Sequence, residues 1–145
     1  MGGLFLQKNP TTRIVVAAAL IATDRKVLLQ RCPPGHAHAG LWEFPGGKLE
    51  AGEMLETALI RELNEELAID VDARDLQPLG FSSDPEERNE LRSPYVILLY
   101  TCRHWRGQPR PMEGQELRWF DVSTMGNLAM PPLDLPLANK LKETR

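Results

Sequence analysis

Apolar positions run almost unbroken over residues 14–22, reading IVVAAALIA, and a polar pair, Asp24-Arg25, separates them from Val27-Leu28-Leu29-Gln30. Runs of branched residues bounded by a polar turn predict a strand, a turn and a second strand. The competing reading is helix, because Ala17 to Ala19 is a good helix former. Residues 32–40 hold Pro33, Pro34, Gly35 and Gly40 and predict an exposed loop. Leu41-Trp42-Glu43-Phe44 then alternates briefly as a short strand before a tight turn at Pro45-Gly46-Gly47. From 53 to 67 the chain has no Gly or Pro, and Leu59, Leu63 and Leu67 recur four apart with Ile60 beside them, which is the stripe of an amphipathic helix.

The second half alternates in the same way. A polar turn is expected over 70–75, a strand over 76–81, and a charged surface loop over 82–92 around Pro85. Residues 95–102, YVILLYTC, form the strongest strand signal in the chain and should lie centrally in a sheet. Gly107, Pro109, Pro111 and Gly114 make 106–114 a loop, 116–121 reads as a last strand, and Pro131, Pro132 and Pro136 precede a short helix over 137–143. There is no internal repeat or low-complexity segment.

Length adds one constraint. At 145 residues the chain suits a single domain, here taken as 13–145, with residues 1–12 as a flexible N-terminal extension. Seventeen Lys and Arg against twenty Asp and Glu give a net charge of -3, which argues against binding polymeric nucleic acid or an anionic membrane. A nucleotide-sized anion remains compatible, because a bound cation reverses the local field. Cys32 and Cys102 have no CxxC partner, so neither a zinc site nor a disulfide framework is indicated, and a reducing, cytoplasmic setting is the simple inference. The run over 14–22 is too short to span a bilayer and follows Lys8, Pro10 and Arg13 rather than a leader.

The charged residues of the central helix change the picture most. Glu62 stands three and four positions before Glu65 and Glu66, so the three carboxylates share a patch offset from the leucine stripe. Such acids repel one another unless solvent or a cation neutralises them, and oxygen ligands suit a hard divalent cation. Arg61 is placed to reach both Glu65 and Glu53, which gives Arg61 and Glu53 an orienting role. Gly46 and Gly47 allow the backbone to approach a ligand closely. The positive end of the helix favours phosphate, an effect that Glu53 and Glu56 in its first turn partly cancel. The competing reading of the glutamates is a solvated helix face. His36 and His38 are expected to be polar surface rather than ligands. Trp42, Trp105 and Trp119 are expected to pack in the core or loops.

Gly47, Glu53, Arg61-Glu62-Leu63 and Glu65-Glu66 together resemble the signature of the Nudix hydrolases at every position but one. The departure is Ala68, where the family pattern has the Gly that closes the helix; alanine there either extends the helix or strains the turn. Leu41 to Lys48, LWEFPGGK, with Glu113-Gly114-Gln115 and Met130-Pro131-Pro132, resembles the MutT-like branch, and the likeness spans residues 14–141. The resemblance implies an α+β fold, the Nudix α/β/α sandwich with a mixed β-sheet. It implies metal contacts from Gly46, Glu62, Glu65, Glu66 and Glu113, catalytic roles for Glu53, Arg61, Glu62 and Glu113, and Mg2+ as cofactor with Mn2+ substituting. Substrate contacts are implied for Arg31, Glu43, Phe44, Pro45, Gly46, Lys48 and Asp134. Asp134 occupies the place of a base-reading residue that is Asn in many relatives, and an N-cap for the last helix is its alternative. Cys32 stands where some relatives carry a second basic residue, which weakens phosphate recognition unless Lys48 compensates. The implied activity is hydrolysis of nucleoside triphosphates, including oxidised purine nucleotides such as 8-oxo-dGTP, to monophosphate and pyrophosphate, with a link to DNA repair. Two alternatives stay open: hydrolysis of a nucleoside diphosphate derivative such as ADP-ribose, and a non-catalytic nucleotide-binding domain. The expected partner is a nucleotide, and the protein is expected to be a monomer or homodimer.

Overall fold

The computed structural model describes residues 12–36, 38–83 and 95–144. In chain order it contains β1 (Arg13–Leu20), β2 (Lys26–Arg31), β3 (Trp42–Glu43), β4 (Gly46–Lys48), α1 (Leu55–Leu67), a 3-10 turn (Ala73–Asp75), β5 (Leu76–Ser83), β6 (Tyr95–Cys102), β7 (Glu116–Asp121), a second 3-10 segment (Val122–Asn127) and α2 (Asp134–Glu143). The strands form a mixed four-stranded sheet, β4-β1-β6-β5, and an antiparallel three-stranded sheet, β3-β2-β7. β1 runs parallel to β6, with Val16 opposite Leu98, and antiparallel to β4, with Val16 opposite Gly47.

The unbroken apolar run of β1 has a direct cause. Ala17, Ala19 and Ile21 face one core, together with Leu137, Ala138 and Leu141 of α2. Val16, Ala18 and Leu20 face the other, against Ala58, Leu59, Leu63 and Leu67 of α1. A strand buried on both faces reads as continuous apolar sequence, and its pairing overrides the helix propensity of the alanines. Helices on opposite sides of the sheet layer make the expected α/β/α sandwich.

The elements differ from the sequence reading at four places. Gly46-Gly47 is not a free turn, because Gly46–Lys48 is a strand paired with β1. The central helix starts at Leu55 rather than at 53: Gly52 has φ of 81° and Met54 is extended, so Glu53 belongs to the preceding loop. The last helix starts at Asp134 rather than at 137, since Pro136 lies in its first turn, where no amide donor is needed. β5 extends through Ser83, two residues into the expected loop, whose stretch from 84 to 92 lies outside the described residues, as does nearly all of the expected extension over 1–12. The strand over 95–102 is central, between β1 and β5, as its composition requires. Among the described residues no helix is long and apolar enough to cross a membrane.

Candidate active site

α1 carries its carboxylates to the edge of β4. Leu59, Leu63 and Leu67 are fully buried, and this stripe fixes the rotation of the helix so that Glu66 turns inward at 7% exposure. Its Oε1 accepts the Gly46 N–H at 3.3 Å and a Gln30 side-chain N–H at 3.4 Å. Burial pushes the Glu66 pKa up, and the adjacent Glu62 and Glu113 push it in the same direction, while the Gly46 N–H opposes them. Glu62 sits directly over Gly47: a Cβ on Gly47 would come within 2.2 Å of the Glu62 carboxyl carbon. A methyl at 47 would therefore push the Glu62 carboxylate out of this position.

Arg61 organises the outer part of the cluster. Its Nε donates to Glu53 at 2.7 Å, and Nη2 reaches the other Glu53 oxygen at 3.0 Å and the Lys48 carbonyl at 3.3 Å. Nη1 lies 3.1 Å from Glu62 and 3.3 Å from Glu65. The Arg61 bond, aided by the Glu50 N–H, holds the Glu53 carboxyl below the usual range. One guanidinium thus ties the loop before α1, the β4 backbone and two helix carboxylates into one unit.

Glu113 arrives by a different route. The last carbonyls of a helix lack partners within it, and here the loop before β7 supplies them. Arg110 N–H donates to the Leu67 carbonyl at 2.9 Å, and Met112 N–H donates to the Glu66 carbonyl at 3.1 Å. Gln115, 7% exposed, donates from Nε2 to the same carbonyl at 3.1 Å and to Gln30 at 3.3 Å, and its Oε1 accepts the Glu113 N–H at 2.8 Å. Capping of α1 is what brings an acid 47 residues further along the chain to Glu66.

The structure therefore gathers Glu62, Glu66 and Glu113, with Glu53 and Arg61 behind them, and leaves Glu65 at the rim with a side chain 55% exposed. Among the described residues no three His, Cys, Asp or Glu side chains stand as a ready coordination shell, and Arg61 engages Glu62 and Glu65. The donor chemistry nevertheless fits a hard divalent cation: the groups are oxygens, and the buried Glu66 carboxylate faces two further acids. Gln30 belongs to no pattern that sequence reasoning singles out, and Gln115 enters only within the Glu113-Gly114-Gln115 resemblance, with no role attached to it. The one available signal is an amide next to the apolar run 27–29 and another directly before β7.

A second group lies beyond β3. Glu43 accepts from Cys32 at 3.4 Å and contacts His38 Nδ1 at 3.4 Å, while His36 is exposed. Burial and the charge of Glu43 push the Cys32 thiol up to about 12, so it is not a thiolate at neutral pH. Asp134 is not the N-cap of α2; Leu133 holds that position. The Asp134 carboxylate instead accepts the Phe44 N–H at 3.2 Å, and burial, then Glu43, raises its pKa from 3.8 to about 7. Pro45 accepts the Ala18 N–H at 2.9 Å, which locks the segment to β1. Arg31 is paired with Glu116 and stacks over Trp42 at 4.9 Å. It also lines a cavity of about 520 Å³ with Cys32, Pro33, Gly40, Gly114 and Glu116. The Lys48 side chain is exposed. Trp42 packs edge-on against Phe120, and Trp105 stacks on Trp119.

The family model of the NUDIX domain matches residues 11–141. The chain belongs to the Nudix family. An 8-oxo-dGTP diphosphatase of Haemophilus influenzae is 33% identical over 132 residues, covering 88% of this chain and 90% of that protein. The CTP pyrophosphohydrolase of Escherichia coli is 33% identical over 124 residues, covering 86% and 87%. A solved structure from work on MutT of Aliivibrio salmonicida and Vibrio cholerae superposes with a TM-score of 0.73 at 26% identity, over 93% of this chain and 100% of that one. The molecule is a Nudix hydrolase of the MutT-like type. Nudix hydrolases act on nucleotide substrates and generally use divalent metal ions, which agrees with the oxygen-only character of this Nudix cluster.

Proposed function

We propose that this Nudix hydrolase converts nucleoside triphosphates to the monophosphate and pyrophosphate with Mg2+, or Mn2+ in its place. The observation that carries the reading is the Glu66 carboxylate, buried against the Gly46 N–H and faced by Glu62 and Glu113. Burying an ionised acid among acids is unfavourable without a cation, and the Glu62 side chain, 15% exposed, is not that of a solvated helix face. Glu62 and Glu66 would hold the cation, with Glu65 reaching it from the rim. When bound, a divalent cation there lowers the pKa of a water and neutralises charge on the polyphosphate oxygens. The water oxygen forms a bond to an internal phosphorus, the bond from that phosphorus to the leaving oxygen breaks, and the water's proton passes to Glu113. Arg61 and Glu53 keep α1 in register with β4.

The base is assigned to the neighbourhood of Glu43, Phe44 and Asp134. Two carboxylates near each other favour a ring edge that presents donors, and Asp134 also donates when protonated. Guanine and cytosine both carry an exocyclic amino group. The relatives named for 8-oxo-dGTP and for CTP therefore pose a choice between two bases of related donor chemistry.

Product analysis over 8-oxo-dGTP, dGTP, CTP and ADP-ribose, with magnesium and with chelator, tests the proposal. Release of monophosphate and pyrophosphate from a triphosphate, abolished by chelator and by Glu66→Gln, is the expected result. Glu66→Gln should reduce turnover by roughly 10²-fold or more. Activity indifferent to chelator, or full turnover in Glu66→Gln, would refute it.

A further inference from the structure

We infer that Gln115, acting with Gln30, is a positioning residue that sets the Glu66 and Glu113 carboxylates relative to each other; this rests on the function proposed above. Gln115 is one of four buried polar or charged side chains among the described residues, and the others are Glu66, Ser82 and Asp134. A buried amide must be paired, and Gln115 uses its pairing to join three separate segments. Its Oε1 takes the N–H of Glu113 itself at 2.8 Å. Its Nε2 reaches the Glu66 backbone carbonyl at 3.1 Å and the Gln30 Oε1 at 3.3 Å.

Gln30 completes the circuit. Its Oε1 accepts from Gln115 while its Nε2 donates to the Glu66 carboxylate at 3.4 Å. Two contacts thus orient Gln30, and the amide end aimed at Glu66 is the donor rather than the acceptor. A neutral donor orients the carboxyl without adding a charge to the cluster, as a lysine or arginine would. The chain of contacts runs from the Glu113 amide through Gln115 and Gln30 to the Glu66 carboxylate, with a branch to the Glu66 main chain. β2 and β7 are hydrogen-bonded neighbours, with Arg31 opposite Glu116, so both glutamines sit at the same end of a rigid ladder. Gln115 directly precedes β7, and Gln30 is the penultimate residue of β2. Outer partners anchored beside such a frame orient the ligands they touch.

The test is Mn2+ binding followed by electron paramagnetic resonance, with no substrate present, on the full chain and three variants. Gln115→Leu conserves bulk and removes all of the Gln115 contacts, while Gln30→Leu leaves the Glu113 amide bond in place. Glu66→Gln serves as the reference for a damaged site. Outer partners of metal ligands typically affect affinity by about 10- to 100-fold, and Gln115→Leu should weaken Mn2+ binding by that factor. Gln30→Leu should weaken it by a smaller factor, and each should lower kcat more than it raises KM. If Gln115→Leu does not fold, the Mn2+ affinity of Gln30→Leu decides the question. Unchanged Mn2+ affinity in a folded variant, even with a lowered Tm, would reduce the pair to ordinary core packing and overturn the inference alone. Failure of the unaltered protein to bind Mn2+ would overturn the proposed function and this inference with it.

Discussion

Replacement of Ala68 by glycine should stabilise the protein without changing its chemistry. Ala68 ends α1 with φ of 60° and ψ of 35°, its N–H bonded to the Asn64 carbonyl at 3.0 Å. A left-handed conformation costs a residue with a Cβ about 1–2 kcal/mol, and glycine removes that penalty. Glycine also gains freedom in the unfolded chain, which offsets about 0.4–1 kcal/mol. The Ala68 methyl is half-buried and contributes little packing, so a net gain of roughly 0.5–1 kcal/mol is expected. For a domain of this size that corresponds to a rise in Tm of about 2–4 °C. Reversible urea unfolding with an unchanged m-value measures this net change in stability. Ala68→Val should lower Tm, because branching at Cβ adds to the same strain. Steady-state turnover should be unchanged in Ala68→Gly. A Tm equal to or below that of the parent would show that residue 68 is not held in the left-handed region and that the helix continues through it.

Gly47→Ala should abolish most turnover while leaving far-UV circular dichroism intact, because the added methyl falls on the Glu62 carboxylate. Gly46→Ala should instead destabilise the fold by about 1–3 kcal/mol, since its Cβ would lie 2.0 Å from the Val16 carbonyl oxygen; equal effects of the two variants in thermal melts would refute this division. Arg61→Lys keeps the charge but cannot hold Glu53, Glu62 and the Lys48 carbonyl together, so turnover should fall about tenfold or more, and parent-like kinetics would remove Arg61 from its orienting role. For Asp134 the folded pKa of about 7 exceeds the ordinary 3.8, so the folded state binds more protons and its advantage is lost as pH rises from about 4 through about 7. Asp134→Asn should flatten the fall of metal-free stability over that window and change the ratio of rates for 8-oxo-dGTP and dGTP; an unaltered pH slope would show that the carboxyl is not buried as an acid.

Much of the architecture is legible from periodicity because burial imposes it. The continuous apolar run of β1 marks burial on both faces, the leucine stripe marks α1, and the bounds of β7 follow from the sequence to the residue. Gly46–Lys48 reads as a turn because two glycines carry no strand signal; the pairing comes from the neighbouring β1 main chain, which local sequence does not reveal. The early start of α2 is hidden by prolines that only forbid a helix beyond its first turn. In the site, Glu62, Glu66 and Arg61 follow from helical spacing, and Gly47 from glycine's freedom to approach a ligand, whereas the Glu62 carboxylate over it shows only in the structure. Helical spacing places Glu65 with its neighbours, yet it remains at the rim, since a contiguous patch around a cylinder still has an inner and an outer edge. The Gln30 and Gln115 contacts depend on the meeting of β2, β7 and the end of α1, and no local pattern encodes that meeting.

The distant acid owes its place to main-chain donors at residues 110 and 112, and the residues on either side, Pro109 and Pro111, have no such donor to give. Imino acids thus occupy alternate places where nothing is asked of the peptide nitrogen, stiffening the segment without disturbing its anchorage. Side chains at 110 and 112 can vary without loss of that anchorage, and Met112 extends into solvent. Moving Pro111 by one position either way, or Pro109 forward by one, would silence an anchoring amide and loosen the hold on Glu113, so the spacing of these prolines matters more than the identity of the residues between them.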